Sequence, residues 1–189
     1  MKKYITDERT GHTRVYKPID IPFRNKAKKR KNELIEQIII EFYTSMQNPV
    51  IINELAKKFS ISTNYLIREF KKSTGKTPVQ YAIDMRIKKA EELLLFSNYT
   101  NAQISEFLGF SNYSYFSRLF KKHTGVSPVR YLIRYRVSVA CKLLGDDLSV
   151  TEIGARCGFS DPTNFFVRFK QVTGLTPSAY RKTMLPERG

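Results

Sequence analysis

Apolar side chains recur at helical spacing along most of the chain, and over all but the N-terminal part the pattern itself repeats. Residues 70–81 return as residues 120–131 and again as residues 169–180, at offsets of 50 and 49 residues. Without gaps, residues 70–94 and 120–144 are identical at thirteen of twenty-five positions. Self-similarity at a fixed period of this length predicts three copies of one structural unit.

Each copy contains the end of one helix followed at once by the start of another. Gly75, Gly125 and Gly174 follow apolar-periodic, Lys-bearing segments, where a residue that adopts positive φ closes a helix and basic side chains favour its C-terminal dipole. Two residues later comes a hydroxyl N-cap followed by a proline at the first helical position. The pairs are Thr77-Pro78, Ser127-Pro128 and Thr176-Pro177. In the first two copies the new helix is predicted to run for about 17 to 18 residues.

Upstream of each glycine, the sequence predicts two short helices joined by a tight turn. In copies two and three a capping box opens the first helix and a polar residue caps the second. The boxes are Thr100–Gln103 and Ser149–Glu152, and the second caps are Asn112 and Asp161. Copy one has the same order with a shorter turn and Ser62 as its second cap. Helix, tight turn, helix is the helix-turn-helix arrangement, so we predict an all-α fold of three tandem helix-turn-helix units joined by long linker helices.

These features divide the chain into four predicted segments. They are a basic, flexible N-terminal arm (1–31), the first helix-turn-helix unit plus its linker helix (32–98), the second unit plus its linker helix (99–147), and the third unit with a C-terminal helix (148–189). An amphipathic helix from about residue 33 to residue 46 is expected to close the first core.

Charge narrows the choice of partner. The chain has 33 Lys and Arg against 17 Asp and Glu, a net charge of +16, which favours a polyanion. The first 32 residues hold eleven of the basic side chains and only three acidic ones. This arm has two interpretations, a nucleic-acid arm that neutralises phosphates and a solubilising tail. Charge alone favours neither.

The sequence argues against several classes of protein. No apolar run approaches the roughly 18 to 20 residues of a membrane span, and the N-terminus has no apolar signal region, so we expect a cytoplasmic, nucleoid-associated protein without membrane contact. His12 and His123 lie far along the sequence from each other and from Cys141 and Cys157, which argues against a metal site and for two reduced core cysteines. His123 itself implies no chemistry. No catalytic constellation or cofactor motif is present, so we expect no enzyme and no cofactor.

These residues resemble the DNA-binding domain of AraC/XylS-family transcription regulators. The first unit and its linker carry Leu55-Ala56, Ser62, Leu66, Arg68, Phe70-Lys71, Pro78, Tyr81, Arg86, Ala90 and Leu93-Leu94. The closing pattern, from Gly-Phe through Phe-Lys and Thr-Gly to Pro-x-x-Tyr, occurs twice, in residues 109–131 and 158–180. The chain departs from the family by its third unit and by the absence of a recognisable effector-sensing domain.

The resemblance implies that the second helix of each unit enters a major groove. The residues independently indicate the same helices, because an i, i+4 apolar pair faces inward and leaves a polar face outside. The expected base-facing residues are Thr63, Asn64, Ile67, Arg68, Tyr113, Ser114, Ser117 and Arg118, and the expected phosphate ligands are Lys71, Lys72, Lys121, Lys122 and Lys170. Arg68 and Arg118 are the best candidates to bond guanine in bidentate fashion. A phosphate contact or a surface salt bridge is the alternative for both.

The third unit has a different outward face. Phe166 and Val167 stand where Ser117 and Arg118 stand in unit two. Three roles compete for this face: contact with DNA through thymine methyl groups, contact with a protein such as RNA polymerase or a second copy, and stability alone. Thr163 and Lys170 are the polar residues of this unit that remain able to touch DNA.

The linker helices carry one arginine each at equivalent positions, Arg86 and Arg136. We expect both to tie a linker helix to its unit through buried polar contacts. The linkers also set the step between units, so that one chain is expected to read successive groove segments without dimerising.

The sequence therefore predicts a bacterial transcription regulator that binds double-stranded DNA sequence-specifically. Activation rather than repression is what the family resemblance implies. RNA polymerase is an expected protein partner, whereas no small-molecule effector is evident. The alternative is an architectural or recombination accessory protein with low base specificity. An enzyme acting on nucleic acid is a weaker alternative, because the sequence shows no clustered carboxylates and no activated nucleophile.

Overall fold

The computed structural model describes residues 3–6, 13–16 and 26–184. A short hairpin precedes the helices: β1 (Lys3–Thr6) pairs antiparallel with β2 (Thr13–Tyr16). Every other regular element in the described ranges is an α-helix. The all-α, tandem helix-turn-helix architecture is confirmed, with the hairpin as a small addition.

The described residues form ten helices. They are α1 (Lys26–Thr44), α2 (Ile52–Lys58), α3 (Thr63–Thr74), α4 (Pro78–Phe96), α5 (Asn101–Phe107), α6 (Tyr113–Thr124), α7 (Pro128–Leu143), α8 (Val150–Arg156), α9 (Pro162–Thr173) and α10 (Pro177–Met184). Unit one contains α2 and α3, unit two contains α5 and α6, and unit three contains α8 and α9. Helices α4 and α7 link consecutive units, and α10 follows the third.

The first helix begins earlier than the sequence suggested. Helix α1 starts at Lys26, not near residue 33, so it extends into the segment assigned to an arm. The reason is that Lys, Ala and Arg are good helix formers even where apolar periodicity is missing. Ile35, Ile38 and Phe42 of this helix are buried in the first core. The flexibility expected of the arm concerns residues that lie mainly outside the described ranges.

The second helix of every unit begins at its expected N-cap. The side chains of Ser62 and Asn112 accept hydrogen bonds from the backbone N–H three residues on, and Asp161 accepts from two N–H groups. Each cap satisfies donors that a helix N-terminus leaves without an intrahelical partner. The polar residues from which the N-caps were predicted therefore determine where each second helix begins.

The two predicted capping boxes differ in outcome. Thr100 and Gln103 form the complete box at the start of α5. At the start of α8, Ser149 accepts from the Glu152 N–H, but the Glu152 carboxylate binds Arg156 one turn later at 2.7 Å. Only the serine half of that box is therefore formed, because an i, i+4 arginine competes for the carboxylate.

The turn inside each unit contains a residue with positive φ. Gly109 and Gly158 provide it in units two and three, with φ of 68° and 83°. Unit one places Ser60 there, at φ 53°, in a turn that is one residue shorter. A left-handed conformation costs a non-glycine residue about 1 to 2 kcal/mol, so unit one folds around a strained turn.

The two linker helices differ in length, although the sequence suggested two similar ones. Helix α4 has 19 residues and α7 has 16, which correspond to about 28 Å and about 24 Å at 1.5 Å per residue. Helix α7 ends at Leu143, the equivalent of Leu93, and Gly145 follows its C-cap. Helix α4 instead continues through Phe96.

Each unit has its own apolar core, and in each core one fully buried phenylalanine of the second helix occupies the same position. The edge of a tyrosine from the following helix packs against that ring, at centroid distances of 5.4, 5.4 and 5.5 Å. The three pairs are Phe70–Tyr81, Phe120–Tyr131 and Phe169–Tyr180. These residues bound the repeated sequence segment, so the repeat encodes one packing contact that holds the second helix of a unit against the next helix.

Helix α4 is shared between two cores. Ala82 and Met85 pack into the first core, whereas Ile87, Ala90 and Leu94 pack into the second. Helix α7 likewise contributes to the second and third cores. Within the described ranges, no helix is both long enough and apolar enough to cross a bilayer.

Candidate nucleic-acid interface

The inner faces of α3, α6 and α9 anchor these helices in their cores. The anchoring side chains are all fully buried and recur at i and i+4: Leu66 and Phe70, Phe116 and Phe120, Phe165 and Phe169. Because of this spacing, the opposite face of each helix is turned outward. The exposed faces of the three helices are therefore equivalent surfaces that carry different side chains.

In unit one, Arg68 dominates the outward face. Its side chain is 69% exposed, and its guanidinium lies 5.6 Å from the ring centre of Tyr65, one turn earlier. Its Nε donates to the carboxylate of Glu69 at 3.2 Å, so the salt-bridge alternative holds for this nitrogen. Asn64 and Ile67 are exposed beside it, and Thr63, at the first position of the helix, is half-buried.

Unit two repeats this arrangement. Arg118 is exposed, and its guanidinium lies 5.6 Å from the ring centre of Tyr115. Tyr113 and Ser114 are exposed, while Ser117 is half-buried. A cation held over an aromatic face is stabilised by about 0.5 to 1 kcal/mol at an exposed site. An aromatic ring at the same position thus holds the arginine along the helix in both units.

The lysines expected to contact phosphates lie where a polyanion can reach them. All five side chains are exposed, and they stand in the last turns of their helices. They are Lys71 and Lys72 in α3, Lys121 and Lys122 in α6, and Lys170 in α9. Such compact, flexible charges suit phosphate contacts better than base recognition.

Unit three presents an apolar outward face. Phe166 is 36% exposed and Val167 is 49% exposed, and Thr163 is exposed near the start of the helix. Arg168 lies one position later, and no pattern in the sequence singles it out. It does not replace the arginine of unit two, because it donates along its own helix to the Asn164 Oδ1 at 3.2 Å and to a glutamine one turn later at 3.0 Å.

Arg86 joins α4 to the connection between α1 and α2. The Nε of Arg86 donates to the Met46 carbonyl at 2.9 Å, and another guanidinium nitrogen donates to the Asn48 carbonyl. The residue is buried, and this burial lowers the pKa of its guanidinium from the ordinary value. The same guanidinium lies 6.0 Å from the ring centre of Phe110 in unit two. The expected structural role of Arg86 is confirmed.

Arg136 approaches unit three, but it is half-buried and makes no hydrogen bond within the described ranges, so the buried polar contact expected of it is not formed. Its guanidinium lies 5.8 Å from the ring centre of Phe159. It also lies against the turn, 3.2 Å from where a β-carbon on Gly158 would stand. A side chain, rather than backbone, therefore faces the turn of unit three.

A polar cluster connects α4 to the last turn of α6, and no pattern in the sequence pointed to it. Asp84 Oδ1 lies 2.7 Å from His123 Nε2, and Asp84 Oδ2 receives a hydrogen bond from Lys76 Nζ. The other ring nitrogen of His123 lies 2.7 Å from the Leu119 carbonyl oxygen, which orients the imidazole. We call Lys76, Asp84 and His123 the Asp84 cluster. The sequence alone does not single out His123, because its contact with Asp84 exists only where α6 packs on α4.

Metal-binding residues are not brought together in the part of the chain that the structure describes. No group of three or more His, Cys, Asp and Glu side chains is close enough there to hold a metal ion. Both cysteines are free thiols, Cys141 half-buried and Cys157 buried. Burial raises the pKa of the Cys157 thiol, and the positive charge of Arg136 offsets this only in part.

A family model described as a helix-turn-helix domain matches the chain twice, over residues 55–132 and 117–183. The first match spans units one and two. The second begins inside α6 and runs through unit three. The end of unit two therefore belongs to both matches.

Curated relatives match part of the chain. The uncharacterized HTH-type transcriptional regulator YdiP of Escherichia coli is 30% identical over 88 residues, which are 47% of this chain and 29% of that protein. Other curated relatives match a similar share of their own length. The chain thus spans about a quarter to a third of the length of the curated relatives it matches.

Solved structures share the fold. The C-terminal domain of AraT, a response regulator from Geobacillus stearothermophilus, is 28% identical with a TM-score of 0.50, covering 52% of this chain and 82% of that one. The DNA-binding domain of AdpA, a global transcriptional factor in complex with a target DNA, is 24% identical with a TM-score of 0.53, covering 55% of this chain and 94% of that one.

Proposed function

Because the chain belongs to the AraC-type helix-turn-helix family of DNA-binding transcription regulators, we propose that it binds double-stranded DNA sequence-specifically and regulates transcription at the bacterial nucleoid. In this proposal α3 and α6 enter successive major-groove segments. The role is one of binding rather than of catalysis.

The equivalent placement of Arg68 and Arg118 carries the proposal. Both arginines are exposed at the same position of their helices, and each lies over a tyrosine ring. An arginine held along a helix loses less side-chain freedom when it bonds guanine O6 and N7, a contact worth about 1 to 3 kcal/mol of discrimination. Their neighbours complete the proposed reading surface: Thr63, Asn64, Ile67, Tyr113, Ser114 and Ser117.

The exposed lysines supply affinity that does not depend on sequence. Each phosphate neutralised by a lysine releases counterions, so binding should weaken as salt increases. The lysines of α3 and α6 lie in the last turns of these helices, whereas residues of the proposed reading surface lie in the first turns. Phosphate contacts at one end of each helix would fix its depth and register in the groove.

Unit three is proposed to make a different contact. Its outward Phe166 and Val167 have no hydrogen-bonding groups with which to read guanine. Two roles fit this face: contact with thymine methyl groups beside Thr163 and Lys170, and contact with a protein such as RNA polymerase. The second role would make the chain an activator, which is also what the family resemblance implies.

Selection of binding sites from random DNA tests the proposal, with the wild-type protein and two single variants. Arg68→Ala and Arg118→Ala should each relax base preference at one half-site and leave the other unchanged. Arg168→Ala is the matched control, because this arginine is bonded along its own helix. Its selected motif should equal that of the wild type.

The alternative role gives a different result. An architectural protein would select no defined motif and would bind all sequences alike at moderate salt. If the two arginine variants weaken binding uniformly without changing the motif, the arginines contact phosphates and the assignment of base readout is wrong.

A further inference from the structure

We propose that the Asp84 cluster fixes the distance between the DNA segments read by units one and two, and that the step from unit two to unit three lacks this constraint. The inference rests on the proposed function, since it assumes that α3 and α6 enter DNA. Lys76, Asp84 and His123 would then determine specificity for half-site spacing rather than for bases.

The cluster ties three consecutive elements together. Lys76 lies in the connection between α3 and α4, Asp84 lies on α4, and His123 lies in the last turn of α6. The Asp84 carboxylate therefore contacts both neighbours: its Oδ2 accepts a hydrogen bond from Lys76 Nζ, and its Oδ1 contacts His123 Nε2. The side chains of Asp84 and His123 are only 21% and 29% exposed, so water screens their contact less than that of a surface pair.

A second set of contacts joins the same two units. The Gln47 backbone, in the connection before α2, lies against the turn of unit two at Gly109. Arg86 bonds two carbonyls of that connection while facing Phe110. Met46 packs against both the first and the second core. Units one and two are thus held by backbone contacts as well as by the Asp84 cluster.

The equivalent positions between units two and three carry different residues. Repetition at offsets of 50 and 49 places Val126 at the position of Lys76, Arg134 at that of Asp84, and Val172 at that of His123. Helix α9 packs on α7 as α6 packs on α4, so the positions are comparable. Within the described ranges, the exposed side chain of Arg134 has no hydrogen bond or ion pair, although it lines a shallow groove with Val126.

Charge distinguishes the two linkers along their whole length. Helix α4 carries three acidic and three basic residues, whereas α7 carries four basic residues and none that is acidic. Helix α7 therefore has no carboxylate with which to hold a cation from either neighbouring unit. The two turns also differ in what packs against them. The turn at Gly109 contacts the Gln47 backbone, whereas the turn at Gly158 contacts the flexible side chain of Arg136.

The consequence for DNA is geometric. One inserted base pair moves a half-site by about 3.4 Å along the axis and by about 34° around it. A pair of recognition helices held at one separation cannot follow that change without distorting the DNA or losing contacts. Units one and two should therefore accept one spacing, while unit three should tolerate several.

Distances between the recognition helices test the constraint without DNA. Spin labels at the equivalent positions Asn64, Ser114 and Thr163, in a background that lacks the two native cysteines, report the α3–α6 and α6–α9 separations. We expect a narrow distribution for the first pair and a broader one for the second. His123→Val, which introduces the residue type of the unit-three position, should broaden the first distribution. Equal widths for the two pairs without this substitution, or no effect of His123→Val, would overturn the inference.

Binding to duplexes with altered spacing tests the consequence. The duplexes carry the selected half-sites either at the native spacing or with one or two base pairs inserted or removed between them. For the wild type, one inserted base pair should weaken binding by about tenfold or more. His123→Val should reduce this penalty by about threefold to fivefold, the scale of one partly exposed polar contact, and should keep the selected motif and the affinity at native spacing. An unchanged penalty would contradict the role in spacing.

A reciprocal variant keeps the test decisive if His123→Val perturbs folding. Val126→Lys, Arg134→Asp and Val172→His together install the cluster between units two and three. They should narrow the α6–α9 distance distribution while circular dichroism remains unchanged. Failure to narrow it in a folded variant counts against the inference. If no DNA motif is selected by any variant, the proposed function fails, and the distance distributions still decide whether the cluster constrains the units.

Discussion

The backbone of Gln47 occupies the space that a β-carbon on Gly109 would need. An ideal β-carbon built on Gly109 would overlap the Gln47 carbonyl group. Gly109 also has a φ of 68°, which favours glycine on its own account. Glycine is therefore needed at this position for two reasons: it allows the positive φ of the turn in unit two, and it allows that turn to pack against the Gln47 backbone. Gly158 offers a comparison in which the turn faces a side chain instead of backbone.

Gly109→Ala should be much more destabilising than Gly158→Ala. Both substitutions place alanine at positive φ, at a cost of about 1 to 2 kcal/mol. Only Gly109→Ala also pushes against backbone, which should add about 1 to 3 kcal/mol, whereas the guanidinium of Arg136 beside Gly158 can move away. Urea denaturation of both variants measures the difference. Equal losses in the free energy of unfolding would mean that the Gln47 contact is not formed.

Ser105→Ala should stabilise the protein. The Ser105 hydroxyl is buried, with 2% of the residue exposed, and has no hydrogen-bond partner among the described residues. Units one and three have Ala56 and Gly154 at this position of the first helix. Removing an unsatisfied buried hydroxyl should raise the free energy of unfolding by about 1 kcal/mol.

Thermal and urea unfolding check this prediction against a second variant. Ser73→Ala, at an exposed position of α3, should change the free energy of unfolding by less than about 0.5 kcal/mol. A loss of stability in Ser105→Ala would indicate that the hydroxyl has a partner, such as an ordered water.

Cys157 should react slowly with thiol reagents in the folded protein. Burial raises the pKa of its thiol, so the thiolate, which is the reactive form, is rarer at neutral pH than for an exposed cysteine. Alkylation followed by mass spectrometry should label the half-buried Cys141 first. Labelling of Cys157 should become fast only in denaturant. Equal rates in native buffer would contradict the burial of Cys157.

Removing residues 1–25 should lower the salt dependence of DNA binding and leave the selected motif intact. This cut takes away six basic and three acidic residues but keeps all of α1, which the first core requires. Fewer phosphate contacts mean fewer released counterions and a shallower slope of affinity against salt. The slope of the full chain is the reference. An unchanged slope would identify the segment as a solubilising tail.

The sequence predicted local structure well because local signals are repeated three times. Gly75, with the Thr77-Pro78 pair after it, places a helix end and a helix start in the correct residues, and so do its two equivalents. Each of these signals acts through its own backbone, on caps and φ angles that neighbouring residues decide. The outward position of Arg68 followed in the same way, from the spacing of the apolar pair behind it.

Contacts between units were not predictable in this way. His123 and Asp84 are 39 residues apart, and no periodicity links them. The position of Gly109 against Gln47 depends on how a turn meets the backbone of another unit, which side-chain patterns do not encode. The early start of α1 at Lys26 was missed for another reason: helix propensity carries it where no apolar stripe exists.

The sharing of α4 between two cores determines how the protein can be divided. A fragment that stops after α4 keeps the first core but exposes Ile87, Ala90 and Leu94 to water, an apolar surface that favours aggregation. A fragment that starts after α4 cannot close its second core at all. The units are therefore not independent domains, and a truncation that is meant to keep one unit intact must also keep every linker helix that contributes to its core.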